Sequence, residues 1–452
     1  MSKTKAIILA AGFGTRMKSK HPKVIHELLG KPLVSCVIQS AKDAGVDEIC
    51  VVVGHGSDQV KSAIQEEVSF VMQAEQLGTG HAVMMAEDFI DDEGKTLVLF
   101  GDTPLITSDT LKALLATTVA QDNAVTVLST LVDEADGYGR IIREDGHFLK
   151  SVEHKDATEE ERAVREINSG MYCFDSQALK SALSKLSNDN AQGEYYLPDV
   201  LPIIMSEGGQ VQALITKNSD EILGINTKVQ LEEARLILQR RINKAHMLNG
   251  VTIINRDQTY ISQEAVIGQD AVIYPNTFIE GASVIGEDCI IGPNSKVVNS
   301  QIGKGTKVEQ ATVLNSKIGD ETTVGPYAYI RPNSQIGNHV KIGDFVEVKN
   351  AVIGDGTKLS HLTYVGDADV GKNVNFGCGT VIVNYDGQKK YRTTIEDGAF
   401  IGCNTNLVSP VTVHARAYTA AGSTVTKDVP EESLAIARSR QTNIEAWVKK
   451  NR

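Results

Sequence analysis

Along the first half of the chain, short apolar runs alternate with segments whose apolar residues recur at helical spacing. Ala6–Leu9, Ile49–Val53 and Leu97–Phe100 are apolar runs of strand length, whereas Leu33–Ala44 is amphipathic at helical period. This alternation predicts an α/β domain over residues 1–227: a Rossmann-like, mostly parallel sheet covered by helices. At Lys228 the pattern changes. Leu231, Ala234, Leu238, Ile242 and Ala245 fall on one helical stripe, with no Gly or Pro before Gly250. Residues 228–250 therefore read as a helical linker, a stiff arm between domains.

After Gly250 the spacing changes again. Ile267, Ile273, Ile279, Ile285 and Ile291 recur every six residues, and a second series runs Ile318, Val324, Ile330, Ile336, Ile342, Val348. Neither the helical nor the strand period generates six. The apolar residue is followed by Gly and a small polar residue in Ile285-Gly286-Glu287-Asp288, Ile318-Gly319-Asp320 and Ile353-Gly354-Asp355. One aliphatic side chain per short strand, pointing into a narrow prism with Gly or Asn at each corner, is the hexapeptide pattern of a left-handed parallel β-helix. Residues 251–452 are expected to form it in roughly ten coils of about 18 residues, with a C-terminal tail. The five-residue step from Val348 to Ile353 predicts a loop or an irregular corner, and Asn384-Tyr385-Asp386-Gly387 breaks the frame altogether.

Size and charge narrow the reading. A chain of 452 residues exceeds the roughly 250–300 that one core supports. The net charge of −12 comes without a basic run, which argues against nucleic-acid or anionic-membrane partners. Six scattered cysteines (Cys36, Cys50, Cys173, Cys289, Cys378, Cys403) lack zinc spacing and read as the reduced thiols of a cytoplasmic protein. The apolar start, Ala6–Ala11, is too short for a signal peptide, and no run approaches the ~20 residues of a membrane span.

The candidate chemistry of the first half begins at Leu9-Ala10-Ala11-Gly12-Phe13-Gly14-Thr15-Arg16-Met17, a Gly-rich turn after a predicted strand, with Lys23 close behind. Such a turn lets backbone N–H groups approach phosphates, and Arg16 and Lys23 can neutralise a triphosphate. Alone it is only a turn: it is neither the dinucleotide fingerprint nor a phosphate loop of the Gly-Lys-Ser/Thr type. Asp102 adds weight, because it follows the predicted strand Leu97–Phe100 at the end where open α/β sheets bind ligands. Mg²⁺ takes one or two protein oxygens beside substrate phosphates, so Asp102 is the candidate ligand.

In the second half, residues the repeat does not need interrupt it: Arg331-Pro332-Asn333, Lys349-Asn350, His361-Leu362-Thr363-Tyr364 and Asn375-Phe376-Gly377-Cys378. A β-helix can be an assembly post and nothing more. Here Arg331 and Lys349 suit a phosphate, and a neutral His361 suits removal of a proton from an amine that attacks a thioester. His361 stands two residues past the inward Leu359 and is expected to be exposed. A lone surface histidine is usually inert, and its neighbours are what single this one out.

The turn with Pro22-Lys23, together with Gln76-Leu77-Gly78-Thr79-Gly80-His81-Ala82, Gly101-Asp102-Thr103-Pro104-Leu105 and Gly137-Tyr138-Gly139-Arg140, resembles the nucleoside-diphosphate-sugar pyrophosphorylases. Glu153–Ala157, Glu166–Gly170 and Gly193–Tyr196 are similar to the uridylyltransferase half of the bacterial bifunctional UDP-N-acetylglucosamine pyrophosphorylase / glucosamine-1-phosphate N-acetyltransferase family, and that resemblance continues to the C-terminus. It implies Leu9, Ala10, Ala11, Gly12, Gln73, Gly78 and Thr79 around uracil and ribose, and Gly139, Glu153 and Asn168 around the sugar. Gly101, Lys23, Asp102 and Asn226 complete the implied nucleotide-sugar set, with Asp102 and Asn226 on Mg²⁺ and Arg16 and Lys23 catalytic. Phe13 stands where the family usually has Lys.

For the second half the resemblance implies His361 as general base and Arg331, Lys349, Tyr364 and Asn375 on glucosamine 1-phosphate. Cys378, Asn384, Tyr385, Lys390, Cys403, Ala421 and Arg438 are implied near acetyl-CoA. Cys378 and Cys403 replace the usual Ala and Ser and read as packing or backbone contacts, not nucleophiles. It further implies a homotrimer with the acetylation site between neighbouring β-helices, UTP and acetyl-CoA as co-substrates, and a product that feeds bacterial envelope synthesis. Two other readings stay open: a single-function nucleotidyltransferase carrying a non-catalytic β-helix, and a non-enzymatic scaffold like some translation-factor exchange subunits. The second of these is disfavoured by the presence of both Arg16 and Asp102.

Overall fold

A computed structural model describes residues 3–190 and 193–450. The chain divides into two compact units, Met1–Leu238 and Gln239–Arg452, and the division falls inside the helix Lys228–Leu248.

In the first unit the strands run in the order Val211–Ile215, Val125–Leu131, Glu166–Asp175, Lys95–Phe100, Thr4–Ala10, Glu48–Val53, Ser69–Met72. Thr4–Ala10 lies between two parallel partners, with Ile7 opposite both Cys50 and Val98. Its apolar run is continuous because both faces are covered: Ile8, Val51 and Leu99 join one buried cluster while Ile7, Cys50 and Val98 join the other. The sheet is mixed. Glu166–Asp175 runs antiparallel to both neighbours, and its register with Val125–Leu131 shifts between Asn168 and Tyr172. Leu33–Asp43 is helical, as its spacing predicts. Ser108–Ala120 starts at Thr107, whose hydroxyl accepts from the amide of Thr110.

In the second unit, strands of two to four residues stack in register into three parallel ladders of eleven, ten and nine. Each two-residue strand turns one side chain inward, and the six-residue period distributes Ile267, Ile273 and Ile279 over three faces. Ile273, Ile291, Val308, Val324, Ile342, Leu359, Phe376 and Ile401 then form one continuous buried stack. Many corners take the left-handed conformation and carry Asn or Asp, among them Asn276, Asp288, Asn294, Asn315, Asn333 and Asn350. These residues tolerate positive φ best after Gly. Buried hydroxyls satisfy corner carbonyls: Thr306 donates to the oxygen of Gly319 at 2.7 Å and Thr322 to that of Gly337 at 2.9 Å. The step from Val348 to Ile353 is a shortened corner through Asn350, not a loop, and the ladders continue past it. The true interruption follows Val381–Val383, where an exposed segment closed by a Tyr385–Lys390 bridge delays the next strand to Thr393–Ile395.

Within this unit the end of the helix Lys228–Leu248 is anchored, since buried Gln239 and Asn243 both donate to the carbonyl of Arg256. Among the described residues no helix is long and apolar enough to cross a membrane.

Candidate functional sites

A cleft of about 1050 Å³ opens at the carboxyl ends of Thr4–Ala10 and Lys95–Phe100. Leu9, Ala10, Ala11, Gly12, Lys23, Gln73, Gly78, Thr79, Asp102, Gly139, Glu153 and Asn168 all line it. Gly101 lies beneath, its amide bonded to the carbonyl of Leu9 at 2.9 Å. Gly14 has φ +62°, and a Cβ there would sit 2.7 Å from Cβ of Lys23, so a residue with neither penalty is needed to bring the turn down onto that lysine. Gly78 is constrained likewise, with φ +106° and a would-be Cβ 2.5 Å from the carbonyl of Tyr195.

Lys23 organises the charged end of the cleft. Its ammonium donates to Oδ2 of Asp102 and, at 2.8 Å, to Oδ1 of Asn226. Arg16 donates to the same Asn226 oxygen at 2.9 Å. Asp102 and Asn226 therefore converge on one cationic group, which is the arrangement a shared metal ion needs. Among the described residues no set of three or more His, Cys, Asp or Glu is placed to hold a metal ion. A cation here would depend on one carboxylate, one amide and oxygens brought by a substrate, a donor set suited to Mg²⁺.

At the other end, Asn168 donates to the hydroxyl of Tyr172 at 2.9 Å and to Oγ of Ser151 at 3.1 Å. Its backbone amide binds the carbonyl of Gly139 at 2.9 Å. Tyr172 was not a sequence candidate; the register shift brings it beneath Asn168, and the spacing alone carries no sign of that. Burial, then the charges of Asp156 and Asp199, push the Glu153 carboxyl above its usual range. Gln73, buried, donates to the carbonyl of Gly78 at 3.1 Å, and Thr79 accepts from the amide of Leu197 at 3.1 Å.

On the β-helix, the register sorts the remaining candidates into columns. His361 lies opposite Asp344 on the preceding coil, and Cys378, Cys403 and Ala421 stand at the same place in the following coils, two residues past the stacked Leu359, Phe376, Ile401 and Thr419. Successive coils are ~4.8 Å apart, so these groups form one row along the prism. His361 is exposed, and its Nδ1 is 2.6 Å from Oδ1 of Asp344. Arg438 reaches the end of the row, its Cδ 3.7 Å from the position of a Cβ on Gly422.

A second column, one residue past inward Ile330 and Val348, holds Arg331 and Lys349. Arg331 pairs with Oε1 of Glu347 at 2.8 Å and Lys349 lies 3.8 Å from Oδ2 of Asp367. Asp367 also accepts from Asn350 and Asn384. Lys390 beside it, then burial, hold the Lys349 ammonium below its usual range. The Tyr364 hydroxyl fills the space that a side chain at Gly366 would need. Tyr385 sits in the exposed interrupting segment, and Asn375 lies on the same face as Lys358 and Phe400, in neither column. Asp344, Glu347 and Asp367, the carboxylates that hold these cations and the imidazole, were not legible as site residues.

The chain matches a nucleotidyl transferase family model over residues 5–220 and a bacterial transferase hexapeptide (six repeats) model over residues 264–299 and 315–350. Relatives named bifunctional protein GlmU align along nearly all of it. One from Clostridioides difficile is 54% identical, covering 99% of this chain and 97% of the relative. One from Acetivibrio thermocellus is 56% identical (98% and 96%), and one from Caldanaerobacter subterraneus subsp. tengcongensis is 56% identical (99% and 98%). With a nucleotide-sized cleft on one unit, a cation-bearing left-handed β-helix as the other, and both halves covered by these alignments, the chain belongs to the GlmU family of bifunctional enzymes.

Proposed function

We propose that the chain makes UDP-N-acetylglucosamine in two steps: acetyl transfer from acetyl-CoA to glucosamine 1-phosphate, then uridylyl transfer from UTP to the N-acetylated product. The observation that carries this reading is that relatives named bifunctional match 98–99% of the chain, so neither half is left to a non-catalytic role.

In the first step Arg331 and Lys349 hold the sugar phosphate. Lys349 and Lys390 crowd each other's charge, and an arriving dianion relieves that repulsion. Nε2 of His361 takes the proton as the amine attacks the thioester carbonyl, and the coenzyme A thiolate leaves. Cys378, Cys403, Ala421 and Arg438, in one row with His361, offer the coenzyme a track, with Asn384, Tyr385 and Lys390 beside the phosphate cations. Asn375 and Tyr364 complete the amino-sugar contacts.

The second step needs no protein nucleophile. The sugar phosphate attacks the α-phosphorus in line and pyrophosphate departs, so positioning and charge neutralisation do the work. Arg16 and Lys23 neutralise the triphosphate, the Leu9–Gly12 turn with Gln73, Gly78 and Thr79 holds the nucleoside, and Gly139, Glu153 and Asn168 hold the sugar. Asp102 and Asn226 would bind Mg²⁺, which supplies charge neutralisation and orientation of the phosphates when bound.

We infer a cytoplasmic homotrimer. That state is supported by three successive corners bearing Tyr327, Phe345 and Leu362, each more than half exposed at positive φ where other corners carry Asn or Asp. This apolar edge borders His361 and suits a second copy of the chain.

The test assays both reactions in the intact chain beside Asp102→Ala and His361→Ala. The first variant is expected to lose uridylyl transfer alone and the second acetyl transfer alone. Loss of both reactions from either folded variant refutes the two-site assignment.

A further inference from the structure

We propose that Asp344 is a positioning residue for acetyl transfer: its carboxylate holds the Nδ1–H of His361, so that Nε2 is the ring nitrogen left free to take the amine proton. This rests on the reading of His361 as general base. Lys341–Asp344 and Lys358–His361 are adjacent parallel strands, and Asp344 and His361 are direct register partners at their ends. The contact of 2.6 Å thus joins the paired ends of two neighbouring strands and not a loop. The imidazole bond holds the Asp344 carboxyl below its usual range. Where one imidazole nitrogen binds a carboxylate, that nitrogen carries the hydrogen and the other is the base.

Atoms balance without further reagents. The amine proton passes to Nε2 as the N–C bond forms. The C–S bond breaks, and the imidazolium returns the proton to the departing thiolate. Asp344 stays ionised throughout and steadies the transient imidazolium. Polar groups near the pair include Lys341, which acts on Asp344, Lys358 on the same face, Cys378 on the next coil, and Thr363, whose hydroxyl donates to the His361 carbonyl at 2.7 Å. Neither lysine can replace the acceptor at Nδ1.

A carboxylate charge beside an imidazole favours the protonated ring over the neutral one, and a general base works only when deprotonated. Removing the charge therefore moves the acid limb of kcat/KM to lower pH. In Asp344→Asn an amide oxygen can still accept from Nδ1 while the charge is gone, so the acid limb is expected to lie at lower pH than in wild type. Asp344→Ala removes acceptor and charge together and is expected to lose about 10–100-fold in kcat, with KM for glucosamine 1-phosphate within about twofold.

The experiment measures thioester loss from acetyl-CoA across pH in the intact wild type, Asp344→Asn, Asp344→Ala and His361→Ala, with uridylyl transfer and thermal midpoint as controls for folding. Should Asp344→Ala fail to fold, the isosteric Asp344→Asn profile decides. If His361→Ala is inactive while Asp344→Asn leaves the acid limb unmoved or Asp344→Ala keeps wild-type kcat, the positioning role is overturned. If His361→Ala retains acetyl transfer, the reading beneath it falls instead.

Discussion

Replacing Lys23 with Ala removes an ammonium shared by Asp102 and Asn226, at 2.8 Å from the Asn226 oxygen. The Lys23 and Asp102 side chains are 13% and 17% exposed, so water screens the pair only in part. Stripping the partner from a fully buried ion pair costs about 3–5 kcal/mol, whereas an exposed pair is worth about 0–1. For this geometry the expected loss is about 2–3 kcal/mol. In a unit of this size that lowers the unfolding midpoint by roughly 4–12 °C. The vacated position lies between a carboxylate and an amide oxygen, so Mg²⁺ or Mn²⁺ should restore part of the loss by mass action. Wild type must first release the lysine and should respond less. The assay is calorimetry with and without chelator, taking the transition that responds to UTP as that of the nucleotidyltransferase unit. Uridylyl transfer should fall at least about 100-fold while acetyl transfer persists. A variant that unfolds with wild type in chelator, and answers metal no more steeply, would refute the idea that Lys23 fills a cation site.

Cys36, Cys50, Cys173 and Cys289 are buried, and burial pushes the Cys173 thiol up to about 11, so the native chain should titrate at most two thiols, Cys378 and Cys403, and all six only when denatured. Ile330→Ala empties a fully buried position between Val313 and Val348 and should cost about 2–4 kcal/mol, with faster hydrogen exchange concentrated in neighbouring coils because each coil touches only the next. Glu153→Gln should raise stability at neutral pH. The folded carboxyl titrates above its unfolded value of about 4.3, so its stabilising contribution is present below that value and lost as pH rises through the folded one. The gain should vanish on acidification, and an equal gain at all pH values would show the carboxyl to be unperturbed.

The six-residue period of the second half already contains its architecture. A coil that turns one side chain inward per face leaves a direct record in the spacing of Ile267 to Ile291, and the stacked registers follow it. The apolar runs of the first half likewise announced strands covered on both sides, and Asp102 stands just past the strand Lys95–Phe100, where the reading expected it. What the spacing could not encode is pairing across long separations. Lys23 meets Asp102 and Asn226 across 79 and 203 residues, and nothing near Lys23 records which oxygens it will meet. The antiparallel Glu166–Asp175 reads locally like any parallel strand, because side chains alternate identically in both directions. Asp344 looked like any polar corner residue. Only stacking one coil on the next, at a register set by the buried aliphatic row, carries it to Nδ1 of His361. Residue type and period are local properties of a chain, and they determined the elements. Which charges meet depends on how the elements close in space, and the tertiary structure alone decided that.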